Sequence, residues 1–245
     1  MAITEEQLNR LVAHNRAVPV RFAQQVFIAD GRGVLYCPAR DALVVSDLHF
    51  EKGSYLSRFA NPLPQLDSLA TLQRLQKILS DYAPAQVICL GDSFHDAGGF
   101  DRMGIAERKL LAGLTAQYKD WVWIAGNHDP EIPAGAGGRT IDVLHWGNIR
   151  LQHEPDESAD MPSGARTPAA QIIGHFHPKT RTSVGRKRFS GKCFISDDSL
   201  FIMPAFGQYT GGLDVSSGVL TALLKPGERQ CFLLYENKIY RCKPD

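Results

Sequence analysis

The sequence predicts an α/β fold in which two packed β-sheets are flanked by helices. Three observations carry this expectation. Strand-length apolar runs alternate with helical patterns through the first half, and short strands separated by turns fill the second half. In addition, three of the first-half strands each finish at a cluster of Asp, Asn and His.

Residues 4–15 read as a short amphipathic helix, with Thr4 and Gln7 at capping-box spacing and Leu8, Leu11 and Val12 on one face. GVLYCPARDALVVSDLH reads as two strands around a turn at 38–41, the second covering 42–46. Leu66, Leu69, Leu72, Leu75, Leu79 and Tyr82 then recur at helical spacing. QVICLGD is a second buried-type strand, residues 104–118 predict a helix, and WVWIAGNHD is a third strand. Beyond it TIDVLHWGNIRLQHE, AQIIGHFHP, KRFSGKCFI, SLFIMPAF, GVLTALL and QCFLLYEN read as short strands. No repeat or dividing linker interrupts the chain, so one domain over residues 1–245 is expected, with 154–170 (EPDESADMPSGARTPAA) as its mobile loop.

A chain of 245 residues, 44% hydrophobic and 22% charged, has ordinary globular composition and can bury a sizeable core. Its net charge of +1 excludes no partner, because the field at a groove depends on where charges sit. Cys37, Cys89, Cys193, Cys231 and Cys242 are scattered without a CxxC, which argues against disulfide staples and thiolate zinc sites and for a reducing cytoplasm. MAITEEQLNR lacks the basic start and apolar stretch of a signal peptide, and no run approaches the ~18 apolar residues of a membrane span. A soluble, cytoplasmic protein without a membrane partner is expected.

The three strands run into Asp47-Leu48-His49, into Asp92 followed by Ser93-Phe94-His95, and into Asn127-His128-Asp129. Ligands of open α/β sheets sit beyond the carboxyl ends of the strands, so the clusters should converge on one crevice. The second half adds His153 and the pair His175 and His177 of IGHFHP. Alternate residues of an extended chain share a face, so both imidazoles of the pair could reach one side together. Taken singly, each cluster has an ordinary reading: a strand-end turn, a helix cap at Asp92, an Asn/Asp turn, a surface histidine. Taken together they do not, since one tetrapeptide such as GNHD arises by chance in such a chain with odds on the order of 1 in 1,000. The donors are nitrogen and hard oxygen without thiolate, a set suited to Mn²⁺, Zn²⁺ or Fe²⁺. About seven ligands exceed one tetrahedral ion and suit a pair, a known device for cleaving phosphoesters. His14 and His145 belong to no motif and read as structural.

The ordered set DxH, GD, GNHD, H and GHxH resembles the calcineurin-like metallophosphoesterase superfamily over roughly residues 34–215. The resemblance implies a four-layer αββα sandwich, two mixed sheets between helical layers. It implies that Asp47, His49 and His177 hold one divalent ion, that Asn127, His153 and His175 hold the second, and that Asp92 bridges both. His128 would face the leaving group, and Asp129 would orient it. The surroundings SDLHFEKGS, GDSFHDAGG, HEP, GHFHPK and MPAFGQYTGGLDV are similar to bacterial DNA-ligase-associated metallophosphoesterases, and GDSFH to the GDxFH of Mre11/SbcD nucleases. Phe94-His95-Asp96 stands where Ser/Thr phosphatases carry DRG, which argues against a protein phosphatase. His95 reads either as a residue facing substrate or a ligand, or as a helix-start histidine of no consequence. The N-terminal helical appendage, residues 1–20, lies outside the resemblance.

The implied activity is metal-dependent hydrolysis of phosphodiesters, in single-stranded or damaged DNA during repair, with DNA ligase and repair proteins as partners and a homodimer compatible with it. A phosphodiesterase of small nucleotides or nucleotide-linked precursors is the alternative, and a non-catalytic scaffold is disfavoured because every motif position is filled. Lys179, Arg181, Arg186, Lys187, Arg188 and Lys192 follow the paired histidines without an intervening acid. They read either as a solvated hairpin or as a phosphate-backbone contact that positions a strand. Phe206 and Tyr209 offer stacking faces or core aromatics.

Overall fold

The computed structural model describes residues 2–58, 66–118, 120–156, 170–225 and 227–243. Residues 157–169, most of the segment expected to be a mobile loop, lie outside them. One sheet has the order β1 (Ala17–Phe22), β2 (Gln25–Asp30), β3 (Val34–Cys37), β4 (Ala42–Val45), β5 (Gln86–Leu90), β6 (Asp120–Ile124) and β7 (Arg139–Ile141). It is antiparallel from β1 to β4 and parallel from β4 to β7. The other sheet is built from β8 (Leu144–Trp146), β9 (Ile149–Leu151), β10 (Ala170–Ile173), β11 (Lys179–Val184), β12 (Lys187–Ser196), β13 (Leu200–Ile202), β14 (Gln230–Tyr235) and β15 (Lys238–Cys242). Its order is β15-β14-β12-β13-β10-β9-β8, with β11 paired to β12 and with β9, β10 and β13 parallel. The helices are α1 (Glu5–Ala13), α2 (Lys52–Leu56), α3 (Asp67–Tyr82), α4 (Gly99–Arg102), α5 (Ile105–Gln117) and α6 (Gly218–Leu223). No described helix is long and apolar enough to cross a membrane.

The layers follow from strand periodicity. Successive side chains point to opposite faces, so Leu43 and Val45, Val87 and Cys89, and Trp121 and Trp123 pack with α3 and α5. Their neighbours Val44, Ile88, Leu90, Val122 and Ile124 face the second sheet, where Ile172, Phe194, Phe201 and Phe232 meet them. Ile173, Ile195 and Ile202 turn to the far side, against Leu220 and Leu224. Each sheet thus packs on the other and carries helices on its outer face, giving the αββα order.

The N-terminal helix has the expected capping box between Thr4 and Gln7, and Leu8, Leu11 and Val12 pack on the α3 side of the core. Leu72, Leu75, Leu79 and Tyr82 bury one stripe of α3, while Leu66 stays exposed just before the helix. GVLTALL, expected as a strand, is instead the helix α6. Its Ser217 side chain caps the Leu220 amide, and Leu220 and Leu224, one turn apart, are the buried pair. An apolar run this short carries too little periodicity to separate the two states. Strands β1 and β2 gave no clear signal; Pro19 interrupts β1, which is tolerated because β1 is the sheet edge. TIDVLHWGNIRLQHE is divided between sheets, its first strand closing one and the next two opening the other.

What this architecture positions is a single rim. The parallel strands β4, β5 and β6 and the parallel strands β9 and β10 end beside one another, joined by bonds across the sheets. The Phe206 and Gly207 amides donate to the Ser46 and Asp47 carbonyls at 2.8 and 2.9 Å. Lys192 is partly buried and donates to the Ala205 and Gly207 carbonyls, both at 2.7 Å, so its ammonium anchors this loop rather than standing free as a basic-hairpin residue would.

Candidate metal centre

The loops leaving β4 and β5 run side by side: the Asp47, His49 and Phe50 amides donate to the Gly91, Asp92 and Ser93 carbonyls. Asp47, His49, Asp92, His175 and His177 all have positive φ, between 45° and 67°. Left-handed backbone at non-glycine residues is sparse and strained, and its concentration here marks a site held in place by its surroundings. The inversions send Asp47 and His49 to the rim while Leu48 and Phe50 enter the α3-side core. Both histidines of the HxH pair reach this rim, where each meets Asp47 Oδ1. His175 and His177 lie beyond the end of β10, in inverted backbone, and their rings diverge toward different partners.

One donor group gathers Asp47, His49, Asp92 and His177, with one ligand atom of each within 4.8 Å of the others. His177 Nε2 lies 3.0 Å from Asp47 Oδ1 and 3.2 Å from His49 Nε2, and His49 Nε2 lies 3.7 Å from Asp92 Oδ2. The second group is His153, Glu154 and His175, also within 4.8 Å. His153 Nε2 is 3.1 Å from Asn127 Oδ1 and 3.3 Å from Asp92 Oδ1, and His175 Nδ1 is 3.4 Å from Glu154 Oε1. Asp92 therefore stands between the groups, with one oxygen turned to each.

Glycines permit this crowding. A Cβ on Gly91, whose φ is +75°, would run into the His153 ring, and one on Gly174 would meet Ser46 Oγ and sit 2.6 Å from Asp47 Oδ2. The GD and GH steps of the sequence are places where a ligand side chain occupies the space a Cβ would need.

The electrostatics favour ligands over a hydrogen-bonded core. Burial dominates at His49 and pulls its pKa down to about 3, keeping the imidazole neutral. Burial opposes charge at Asp47 and Asp92 too, but the hydrogen bonds from His177 and His153 hold both carboxyls below the ordinary range. His153 Nδ1 lies 3.0 Å from the Leu90 carbonyl, which fixes the ring and turns Nε2 to the rim. Burial disfavours its charge, yet Asp92 and Asp47 raise its pKa to about 9. Two histidine nitrogens 3.2 Å apart among buried carboxylates repel unless a proton or a cation lies between them. The residues present fit a pair of divalent ions, and nitrogen and hard-oxygen donors fit Mn²⁺, Zn²⁺ or Fe²⁺ better than a soft ion.

Around these groups, His128 is exposed, with Nε2 3.9 Å from Asp92 Oδ2 and its ring stacked on His95 at 5.2 Å. His95 is buried, its Nδ1 3.4 Å from His49 Nδ1 and its ring edge-on to Tyr55, so it lies at the site rather than merely starting a helix. Asp129 departs from its expected role. Its Oδ2 accepts the Ser93 and Phe94 amides at 2.7 and 2.9 Å rather than the His128 ring, clamping the loop that carries Asp92. Its buried Oδ1 has no partner among the described residues, and burial with the Asp92 charge nearby raises its pKa to about 7.

Three residues were not singled out from the sequence. Lys52 at the start of α2 is half-buried and feels the charges of Asp92 and Asp47, yet it forms no ion pair among the described residues. Burial lowers its pKa. Glu154 joins the second donor group; its only signal was adjacency to His153. His145, read as structural, lines with Asn127, Arg150 and Glu154 a crevice of about 600 Å³ beside that group. Among the basic residues, Lys179 donates to the Thr210 carbonyl at 3.3 Å and Arg181 lies 3.8 Å from Asp214, while Arg186, Lys187 and Arg188 are exposed on the β11–β12 hairpin. Phe206 is buried beneath the Arg74 guanidinium and offers no stacking face, whereas Tyr209 is exposed.

A family model described as calcineurin-like phosphoesterase matches residues 42–165. Among solved structures, the Pseudomonas putida nuclease MPE aligns with a TM-score of 0.68 at 25% identity, covering 92% of this chain and 100% of that one. Yfce, a phosphoesterase from E. coli, aligns with a TM-score of 0.40 at 13% identity over 83% of this chain and 99% of that one. No curated protein gives a significant sequence match.

Proposed function

The chain belongs to the calcineurin-like phosphoesterase family and is a metal-dependent phosphoester hydrolase; from that premise we propose that it is a nuclease that cleaves DNA phosphodiesters at a two-metal centre. The observation that carries this reading is Asp92, whose two oxygens face two separate donor groups. In this assignment Asp47, His49 and His177 hold one ion, Asn127, His153 and His175 hold the other, with Glu154 at its edge, and Asp92 serves both. Ions held there supply Lewis acidity toward phosphate oxygens and a hydroxide nucleophile at neutral pH.

The chain's own groups do the rest. His128 presents Nε2 at the open side of Asp92, where it holds a proton for the departing deoxyribose oxygen. His95 stacks on that ring and limits its rotation. Asp129 holds the Ser93 and Phe94 amides and so fixes the loop of Asp92. The Lys52 ammonium, near the carboxylates but bonded to none of them among the described residues, adds positive charge where a phosphate would enter. The exposed hairpin cations fit a phosphate backbone, and the likeness to a nuclease over nearly the whole chain favours a polynucleotide substrate.

Mn²⁺ is the ion of this proposal, and the donor set is equally compatible with Zn²⁺ and Fe²⁺. The sequence resemblance to ligase-associated phosphoesterases supports a role in DNA repair beside a ligase, acting on single-stranded or damaged DNA. The cysteines, none of them in a disulfide, agree with the cytoplasm. The test is cleavage of labelled DNA by the Mn²⁺-reconstituted protein, run beside bis-(p-nitrophenyl) phosphate and cyclic nucleotides. Turnover of the small esters with DNA left intact would refute the nuclease reading while leaving the hydrolase in place.

A further inference from the structure

The β11–β12 hairpin and the strands β14 and β15 enclose a groove of about 800 Å³ that lies apart from the metal centre. Its lining combines Val184, Phe189, Tyr235 and Tyr240 with Arg241, and Glu236 is its single acid. Val184 is 67% exposed, Tyr235 39% and Tyr240 40%, an unusual group of large apolar side chains to leave in water together. The register pairs Tyr235 with Lys238 and Leu233 with Tyr240, so the two tyrosines are diagonal neighbours on one face of the sheet. Such neighbours stand about 7–8 Å apart, roughly twice the ~3.4 Å rise between stacked bases. Phe189 meets the Tyr235 ring edge-on at 5.4 Å and props it upright.

Charge surrounds this aromatic floor. Arg186, Lys187 and Arg188 are exposed at the hairpin end, and among the described residues neither they nor Arg241 form an ion pair. In a chain whose net charge is only +1, that is a local concentration of positive field. The hairpin also joins the groove to the active site. Strand β11 begins at Lys179, two residues beyond His177. Its six residues reach about 20 Å.

We infer that this groove is a second binding site, one that holds single-stranded nucleic acid by stacking unpaired bases on Tyr235 and Tyr240 while the hairpin cations meet its phosphates. The inference rests on the nuclease reading and extends it to the stretch of strand remote from the scissile bond. Aromatic platforms beside a basic track are the general means of holding single strands without reading sequence. A duplex keeps its base faces stacked and has none to offer. A symmetric dimer through this face would set one basic hairpin against the other, like charge on like.

The experiment uses the full chain with Tyr235→Ala/Tyr240→Ala and, as a control that keeps the rings, Tyr235→Phe/Tyr240→Phe. Fluorescence anisotropy in chelator follows a labelled oligothymidylate of about 20 nucleotides and one of about 4, lengths that bracket a groove footprint. Turnover of bis-(p-nitrophenyl) phosphate with Mn²⁺ reports folding and the metal centre. The alanine pair should bind the long oligomer about tenfold or more weakly, and the short one and the small ester should change by less than about twofold. The phenylalanine pair should match wild type. Long-oligomer affinity within about twofold of wild type in the alanine pair overturns the groove while the nuclease reading stands. A wild-type protein that does not bind the long oligomer in chelator overturns the groove, whereas one that turns over the small ester with Mn²⁺ yet leaves DNA intact overturns the nuclease reading itself. Loss of a dimer in sedimentation of the alanine pair, with oligomer binding intact, makes the face a contact between copies and overturns the inference. Should the alanine pair misfold, seen as lost ester turnover, Tyr235→Leu/Tyr240→Leu keeps apolar bulk without a π-face and must show the same selective loss.

Discussion

Replacing His128 by Ala separates proton delivery from metal binding. The side chain is 42% exposed, belongs to neither donor group, and reaches no nearer to a carboxylate than 3.9 Å. Truncation opens the site to water and leaves no buried group unpaired, so stability should change by no more than about 0.5 kcal/mol. Metal content should not change. A positioned general acid contributes roughly 10²–10⁴-fold, equivalent to about 3–5 kcal/mol of barrier. That loss should be felt in full where the leaving group is a deoxyribose alkoxide, a strong base that needs a proton. With p-nitrophenolate, a weak base that leaves unprotonated, the loss should shrink to about tenfold or less. The assay compares kcat on labelled DNA with kcat on bis-(p-nitrophenyl) phosphate for wild type and His128→Ala, with metal measured by elemental analysis. Equal losses on the two substrates, or depletion of metal in the variant, would refute the proton-donor assignment.

Asp92→Asn should lower affinity for both ions at once, because its two oxygens face different donor groups; titration calorimetry showing one site bound as in wild type would contradict this. Gly91→Ala should destabilise by about 1–2 kcal/mol from the left-handed backbone alone, and further through the His153 ring it displaces, lowering Tm by roughly 5 °C or more. An unchanged melting curve would count against the packing described. Lys52→Ala should cut kcat/KM about tenfold with metal content unchanged, and Lys52→Arg should recover part of it; no loss would mean that the ammonium does not meet the phosphate. Lys192 supplies a pH test. Burial, with Arg74 and Lys179 nearby, pulls its pKa from 10.5 to about 7. Between these values the unfolded chain binds more protons than the folded one, so stability rises with pH by up to about 1.4 kcal/mol per unit. Below about 7 both states are protonated and the burial cost is present in full. Denaturation at pH 7, 8 and 9 should show this rise in wild type and its loss in Lys192→Met; identical slopes would refute it.

The sequence by itself determined the strands that form the rim and the chemistry at their ends. Val44, Ile88 and Val122 sit in local apolar runs, and Asp47, Asp92, Asn127 and the histidines carry donor atoms wherever the chain places them, so both were legible without coordinates. The tertiary structure decided how those atoms face each other. His175 and His177, adjacent teeth on a hypothetical strand, serve different groups because each backbone is inverted at its own position. The His175 amide and the His177 ring both meet Asp47 Oδ1, a partner far away in the chain. Asp129 clamps amides instead of His128, and Lys192 anchors a loop instead of facing DNA, for the same reason. Lys52 and Glu154 acquire meaning only from charges and nitrogens brought beside them by folding. Residue type and local period are properties of neighbours along the chain, whereas coordination, desolvation and field are properties of neighbours in space, set by the meeting of two sheets.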